Sequence, residues 1–217
     1  MEVSVVLLTG GSSGIGAATA HLLASAGMKV YCGSRRGTID HPQEGIIPVK
    51  LDVNDAEGLQ ACLPVFRKQH FGRIVTVSSV MAVLQLPYQG FYSSAKAALL
   101  SLSQSLSMEL RGTGIECCCI LPGDVATGFT AARKLNQAAT DPASPYKAGM
   151  ERNLKKIEHD ELGGMAPEVI GKAIRKQLTR RHMAVRVIPR IDYKLVGFLV
   201  RILPAKWVLY ILTLLYN

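Results

Sequence analysis

One stretch limits the architectures open to this chain more than any other: VSVVLLTGGSSGIGAATAHLLASAG, residues 3–27. A continuous apolar run of strand length passes into a Gly/Ser turn and then into an amphipathic helix that Gly27 closes. A strand this uniformly apolar belongs in a parallel sheet covered by helices on both faces. Within TGGSSGIG (residues 9–16), Gly10, Gly14 and Gly16 let the backbone turn tightly and approach a ligand, and the helix N-terminus favours a phosphate. Thr9, Ser12, Ser13 and Ile15 complete that loop. A Gly/Ser turn with no ligand is the plainer alternative, and the placement between strand and helix argues against it. The spacing is Gly-x-x-x-Gly-x-Gly, which differs from the commoner Gly-x-Gly-x-x-Gly.

The rest of the chain keeps alternating. MKVYCG and GIIPVKLDV read as strands, and DAEGLQACLPVFRKQHFG reads as a helix that Pro64 kinks or starts. RIVTVSS is a strand, YSSAKAALLSLSQSLSMELRGTG a long helix ended at Gly112, and IECCCILPG a strand. Residues 128–164 read as irregular and polar, APEVIGKAIRKQL as a helix with Pro167 early in it, and MAVRVIP as a last strand. This is the pattern of an α/β, doubly wound, mainly parallel sheet. A length of 217 residues suits one large domain. We divide it into residues 1–190 and an apolar, basic tail, 191–217, with 128–164 as a variable substrate segment.

Five cysteines (Cys32, Cys62, Cys117, Cys118, Cys119) show neither paired nor metal-ligand spacing, so reduced buried thiols and no metal are expected. The first strand starts at Val3, which leaves no room for a signal peptide before it. Both point to the cytoplasm.

Two further groups carry chemistry. The second strand ends in GSRR, where an acid would hold a ribose 2′-hydroxyl and an arginine a 2′-phosphate. No acid stands there, and Ser34, Arg35 and Arg36 favour NADP(H). Tyr92 and Lys96 lie one turn apart on a helix face, with Ser79 thirteen residues before Tyr92. A nearby cation favours the phenolate and draws a tyrosine toward the working range of an acid–base catalyst.

With TGGSSGIG, LDV, VSS, Tyr92-x-x-x-Lys96 and PGDVAT in this order, the chain resembles the short-chain dehydrogenase/reductase family over nearly its whole length. The resemblance implies a Rossmann-type fold and hydride transfer between nicotinamide and a carbonyl or secondary alcohol. By that resemblance Ser79 binds the substrate oxygen, Tyr92 moves the proton, and Lys96 holds the nicotinamide ribose. Asp52 and Val53 flank the adenine, and Pro122, Gly123, Val125 and Thr127 form the turn beside the nicotinamide carboxamide.

Between LDV and VSS the family pattern has a central strand ending in Asn-Asn-Ala-Gly and a helix carrying a further catalytic Asn. Here one helix-length segment joins the two, with a seam near Gln60–Ala61, so the sheet is expected to be one strand short. The alternatives to an active enzyme are a catalytically impaired nucleotide-binding relative or a membrane-surface interaction protein.

The charge of +9 is local. Residues before 172 carry fifteen basic and fifteen acidic side chains, whereas 172–217 carry ten basic and only Asp192. The tail, IDYKLVGFLVRILPAKWVLYILTLLYN, is interrupted by Arg201 and Lys206, so it is too broken to span a bilayer, and Pro204 divides it into two short helices. Lys194 and Arg201 share a face, and Trp207, Tyr210 and Tyr216 suit a water–lipid boundary. These features suggest peripheral association with an anionic membrane through residues 172–217, and an apolar lipid- or steroid-like substrate. Packing on a partner subunit in a homo-oligomer, or over the substrate cleft, remains the alternative; nucleic acid would not explain the apolar tail.

Overall fold

Every apolar run read as a strand forms one, and every pairing between strands is parallel. The computed structural model describes residues 5–51, 57–129, 131–133, 135 and 137–216. The strands are β1 (Val5–Thr9), β2 (Lys29–Ser34), β3 (Ile46–Lys50), β4 (Gly72–Val77), β5 (Ile115–Ile120) and β6 (Arg186–Val187). They alternate with α1 (Gly14–Ala24), α2 (Glu57–Gln69), α3 (Gly90–Glu109), α4 (Gln137–Thr140), α5 (Lys147–Leu162), α6 (Pro167–Thr179), α7 (Ile191–Ile202) and α8 (Ala205–Tyr216). Pro64 lies inside α2, and Pro167 occupies the first turn of α6, where its missing N–H costs nothing.

The sheet divides in two. β1-β2-β3 form one three-stranded sheet and β4-β5-β6 another, and among the described residues β1 and β4 are not hydrogen-bonded to each other. In the first sheet Val5 pairs with Lys29 and Val30 with Ile46; in the second Gly72 pairs with Ile115 and Cys119 with Arg186. The edges differ in their protection. β3 exposes Pro48 and Lys50, and β6 is two residues long, both ordinary guards against edge pairing. β1 has neither, and its Val5 and Leu7 remain 57% and 46% exposed. On the opposite face Val30 and Cys32 of β2 are fully buried, and the sheet packs there against α1.

Contacts group the residues into two units. The first contains residues 1–77, 102–120 and 166–187, and the second 78–101, 121–165 and 188–217. In the first unit α6 packs along α1 and also touches β4 and β5. The Arg73 guanidinium on β4 donates to the Gln177 and Arg181 carbonyls at 2.7 and 3.3 Å, neutralising the negative end of α6. Cys117, Cys118 and Cys119 are free and buried on β5. Burial pushes the Cys117 thiol up to about 11 and the Cys118 thiol to about 12, so neither is a nucleophile at neutral pH.

The second unit corrects one expectation. Residues 147–162 are not irregular: they form α5, whose Met150, Asn153 and Ile157 point inward at spacings of three and four. The tail forms two helices around Pro204, as expected. Tyr193, Gly197 and Val200 on α7 and Val208, Leu212 and Tyr216 on α8 are its more sheltered residues. The Asn153 amide donates to the Tyr216 carbonyl at 3.1 Å, tying α8 to α5. Among the described residues no helix is long and apolar enough to cross a membrane.

Candidate functional site

In the first unit, β1 delivers the chain into the Gly/Ser loop and α1 carries it away. Gly10 and Gly14 have φ of +69° and +53°, a region that side chains rarely adopt. A Cβ on Gly16 would lie 2.0 Å from the Gly10 carbonyl oxygen, so only glycine lets the loop fold onto the first turn of α1. Ser13 caps α1 through its backbone, with no side-chain cap bond, and Ile15 accepts the Thr19 hydroxyl at 2.7 Å. The loop lines a cavity of about 200 Å³, together with Asp40 and His41. An open glycine turn at a helix N-terminus, beside a cavity, fits a dinucleotide phosphate. Thr9 ends β1 and is exposed, and Ser12 is half-buried on the cavity wall.

The residues expected at a 2′-phosphate are differently engaged. The Ser34 hydroxyl donates to the Thr38 carbonyl at 3.2 Å and accepts from the Gly37 amide at 3.1 Å, which fixes the turn after β2. Arg36 pairs with Asp40 at 3.2 Å on the surface, and Arg35 is exposed. An exposed pair of this kind is worth ~0.2–1 kcal/mol, so a phosphate can displace it. Asp52 and Val53 lie outside the described residues.

In the second unit, Ser79, Tyr92 and Lys96 are brought together. Ser79 is buried; its hydroxyl accepts from the Met81 amide at 3.2 Å and lies 3.5 Å from the Pro122 carbonyl. The Ser78 hydroxyl donates to the Lys96 carbonyl at 2.7 Å, pinning α3 beside the serine pair. The Lys96 Nζ lies 5.6 Å from the centre of the Tyr92 ring, so the one-turn spacing does place both on one face. Phe129 packs against Tyr92 with ring centres 5.9 Å apart.

The direction of the Tyr92 titration departs from the sequence expectation of a lowered phenol. Burial pushes it up from 10.0; a hydrogen bond with the Ser79 side chain opposes this, Glu161 and Asp124 add to the rise, and Arg133 offsets them. Desolvation of the anion outweighs the stabilising groups.

The turn 122–127 closes the site. The Pro122 carbonyl accepts from the Val80 amide at 2.8 Å, and Val125 bridges to Met165. The Thr127 hydroxyl accepts from the Phe129 amide at 3.2 Å, and Gly123 lies against the Tyr193 ring. Sequence reasoning missed Asp124, Phe129, Arg133, Glu161 and Tyr193. Arg133 bonds Glu161 at 2.6 Å across 28 positions, a separation that no local spacing marks.

Comparison with known proteins adds an independent line. Residues 4–61 and 56–138 match the family model described as short chain dehydrogenase. A 3-ketodihydrosphingosine reductase of Bacteroides thetaiotaomicron is 29% identical over 256 aligned positions, covering 95% of this chain and 92% of that protein. A short chain dehydrogenase from Burkholderia cenocepacia, solved in complex with NADP, matches with a TM-score of 0.67 at 17% identity, over 93% of this chain and 94% of its own. A Burkholderia phymatum counterpart in complex with NAD gives 0.70 at 19% identity, over 91% and 92%. At these identities the two structures speak to the fold: a Rossmann-like α/β arrangement of parallel strands.

Proposed function

The chain belongs to the short chain dehydrogenase family, and from that premise we propose that it is an NADP(H)-dependent oxidoreductase acting on an apolar, lipid-like carbonyl or secondary alcohol. The observation that carries this reading is the cluster in which the Ser79 and Tyr92 hydroxyls meet beside Lys96. A nicotinamide dinucleotide, when bound, supplies or accepts the hydride at the substrate carbon. In reduction the Tyr92 hydroxyl gives its proton to the substrate oxygen, Ser79 donates a hydrogen bond to that oxygen, and Lys96 stabilises the tyrosinate left behind. The loop 9–16 holds the diphosphate, and Arg35 with Arg36 receives the 2′-phosphate once Asp40 is displaced.

The lipid-like substrate draws support from the 3-ketodihydrosphingosine reductase at 29% identity and from the exposed apolar faces of α7 and α8. Those faces also support a place on an anionic membrane surface. On α7 the exposed Ile191, Leu195, Phe198 and Ile202 form one arc, with Lys194 and Arg201 at its rim.

The divided sheet favours a second reading, in which the chain binds the nucleotide but turns over slowly. The family model matches in two stretches that meet at 56–61, and the 256-position alignment exceeds the 217 residues of the chain. Both facts support a segment missing near Gln60–Ala61. Hydride transfer needs reacting atoms ~3–3.5 Å apart, a distance that loss of a central strand disturbs.

Titration with NADPH, followed by NADPH oxidation in the presence of a long-chain 3-ketone, separates the readings. Wild type and Tyr92→Phe are expected to bind equally, and only wild type to oxidise. Binding without oxidation in wild type selects the slow relative; absence of binding removes both.

A further inference from the structure

We propose that Tyr193 is a positioning residue through which α7 sets the turn 122–125, so that seating of α7 and α8 on an anionic lipid surface tunes the site of Ser79 and Tyr92. The inference rests on the oxidoreductase reading and adds to it a means of control.

Tyr193 makes two polar contacts to one residue. Its hydroxyl accepts from the Asp124 amide at 3.1 Å and donates to the Asp124 carboxylate at 2.5 Å. Its ring occupies the space a side chain on Gly123 would need, since a Cβ there would fall 2.2 Å from ring atoms. The same turn is held from its other side by Met165, whose amide donates to the Asp124 carbonyl at 2.9 Å and whose carbonyl accepts from Ala126 at 3.0 Å. One clamp therefore belongs to the body of the second unit and the other to the tail.

The turn leads directly to the chemistry. The Pro122 carbonyl takes the Val80 amide at 2.8 Å and lies 3.5 Å from the Ser79 hydroxyl, whose side chain hydrogen-bonds Tyr92. A shift of Asp124 by a fraction of an ångström thus reaches the Ser79 hydroxyl through two residues of backbone. Asp124 also acts on Tyr92 by charge, raising the phenol. Its own carboxyl is pushed up by burial, and the Tyr193 hydrogen bond opposes this.

The outer side of the same helix meets the solvent. Lys194 and Leu195 follow Tyr193 directly, and Leu195, Phe198 and Ile202 are all more than half exposed. α8 continues the surface with Trp207, Tyr210 and Leu214, again more than half exposed. Apolar faces this large, with the exposed cations Lys194 and Arg201 on α7 and Lys206 on α8, fit an anionic bilayer boundary by charge as well as by hydropathy. Insertion that rotates α7 moves Tyr193, and Tyr193 moves the turn.

The test uses the full chain, with the NADPH dissociation constant as readout, because it requires no turnover. It is measured with and without vesicles containing phosphatidylserine, for wild type, Tyr193→Phe and Asp124→Asn. Tyr193→Phe keeps the ring and removes the hydroxyl, so a cooperative thermal transition and unchanged vesicle flotation are expected. Vesicles should change the wild-type constant by about fivefold, the usual scale of coupling between two sites, and leave both variants unmoved. The catalysed rate, where measured, should fall in kcat with KM nearly constant. An equal vesicle response in Tyr193→Phe overturns the inference and leaves the oxidoreductase reading intact. A wild type that binds no NADPH under any condition overturns both.

Discussion

Tyr92 shows how a single residue is set by opposing neighbours. Burial and the Glu161 and Asp124 carboxylates hold the phenol above 10.0, while Ser79 and Arg133 favour its anion. A phenol raised on folding keeps its proton more tightly in the native state, so its contribution to stability is present below ~10 and is lost as pH rises through the raised value. Denaturant titrations from neutral to strongly alkaline pH should show a steep loss for wild type and a shallower one for Tyr92→Phe. Under the proposed function the protonated phenol is the form that serves ketone reduction, so reduction is expected to hold across the neutral range and alcohol oxidation to gain toward alkaline pH. At this scale the shared face of Tyr92 and Lys96 could be read from the sequence, because a one-turn spacing is a local fact, and Ser79 could be read from the order of the motifs. Asp124 and Tyr193 could not, since 69 positions separate them and only folding brings them into contact.

Among the elements, β1 is the informative one. As a continuous apolar strand it is written for a central position, yet it forms an edge with one neighbour and leaves Leu7 46% exposed. Leu7→Lys should therefore cost less than ~1 kcal/mol, whereas in a strand covered on both faces a buried, unpaired lysine would cost several. Thermal melts decide this directly, and a collapse of the fold would show that the face is covered. α5 gives the opposite lesson. Its buried stripe is only Met150, Asn153 and Ile157. That is too thin to stand out from a polar stretch, and one of the three is itself polar.

For the molecule as a whole, the basic surplus of residues 172–217 borders and runs into the apolar tail, 191–217. Flotation with phosphatidylserine vesicles should recover the chain at low salt, lose much of it at high salt, and fail with phosphatidylcholine alone. Recovery unaffected by salt or headgroup would make the attachment apolar rather than electrostatic, and no recovery at all would assign the apolar faces to another partner. The sequence by itself determined the alternation of parallel strands and helices, the glycine loop at the first helix, and the shared face of Tyr92 and Lys96. Each follows from periodicity within a few residues, which backbone geometry enforces wherever the segment lies. Only the tertiary structure decided that the strands form two sheets, that Tyr92 titrates upward, and that α7 is tied to the Pro-Gly turn by Tyr193. Those outcomes depend on burial and on contacts between distant positions, and no local spacing encodes either.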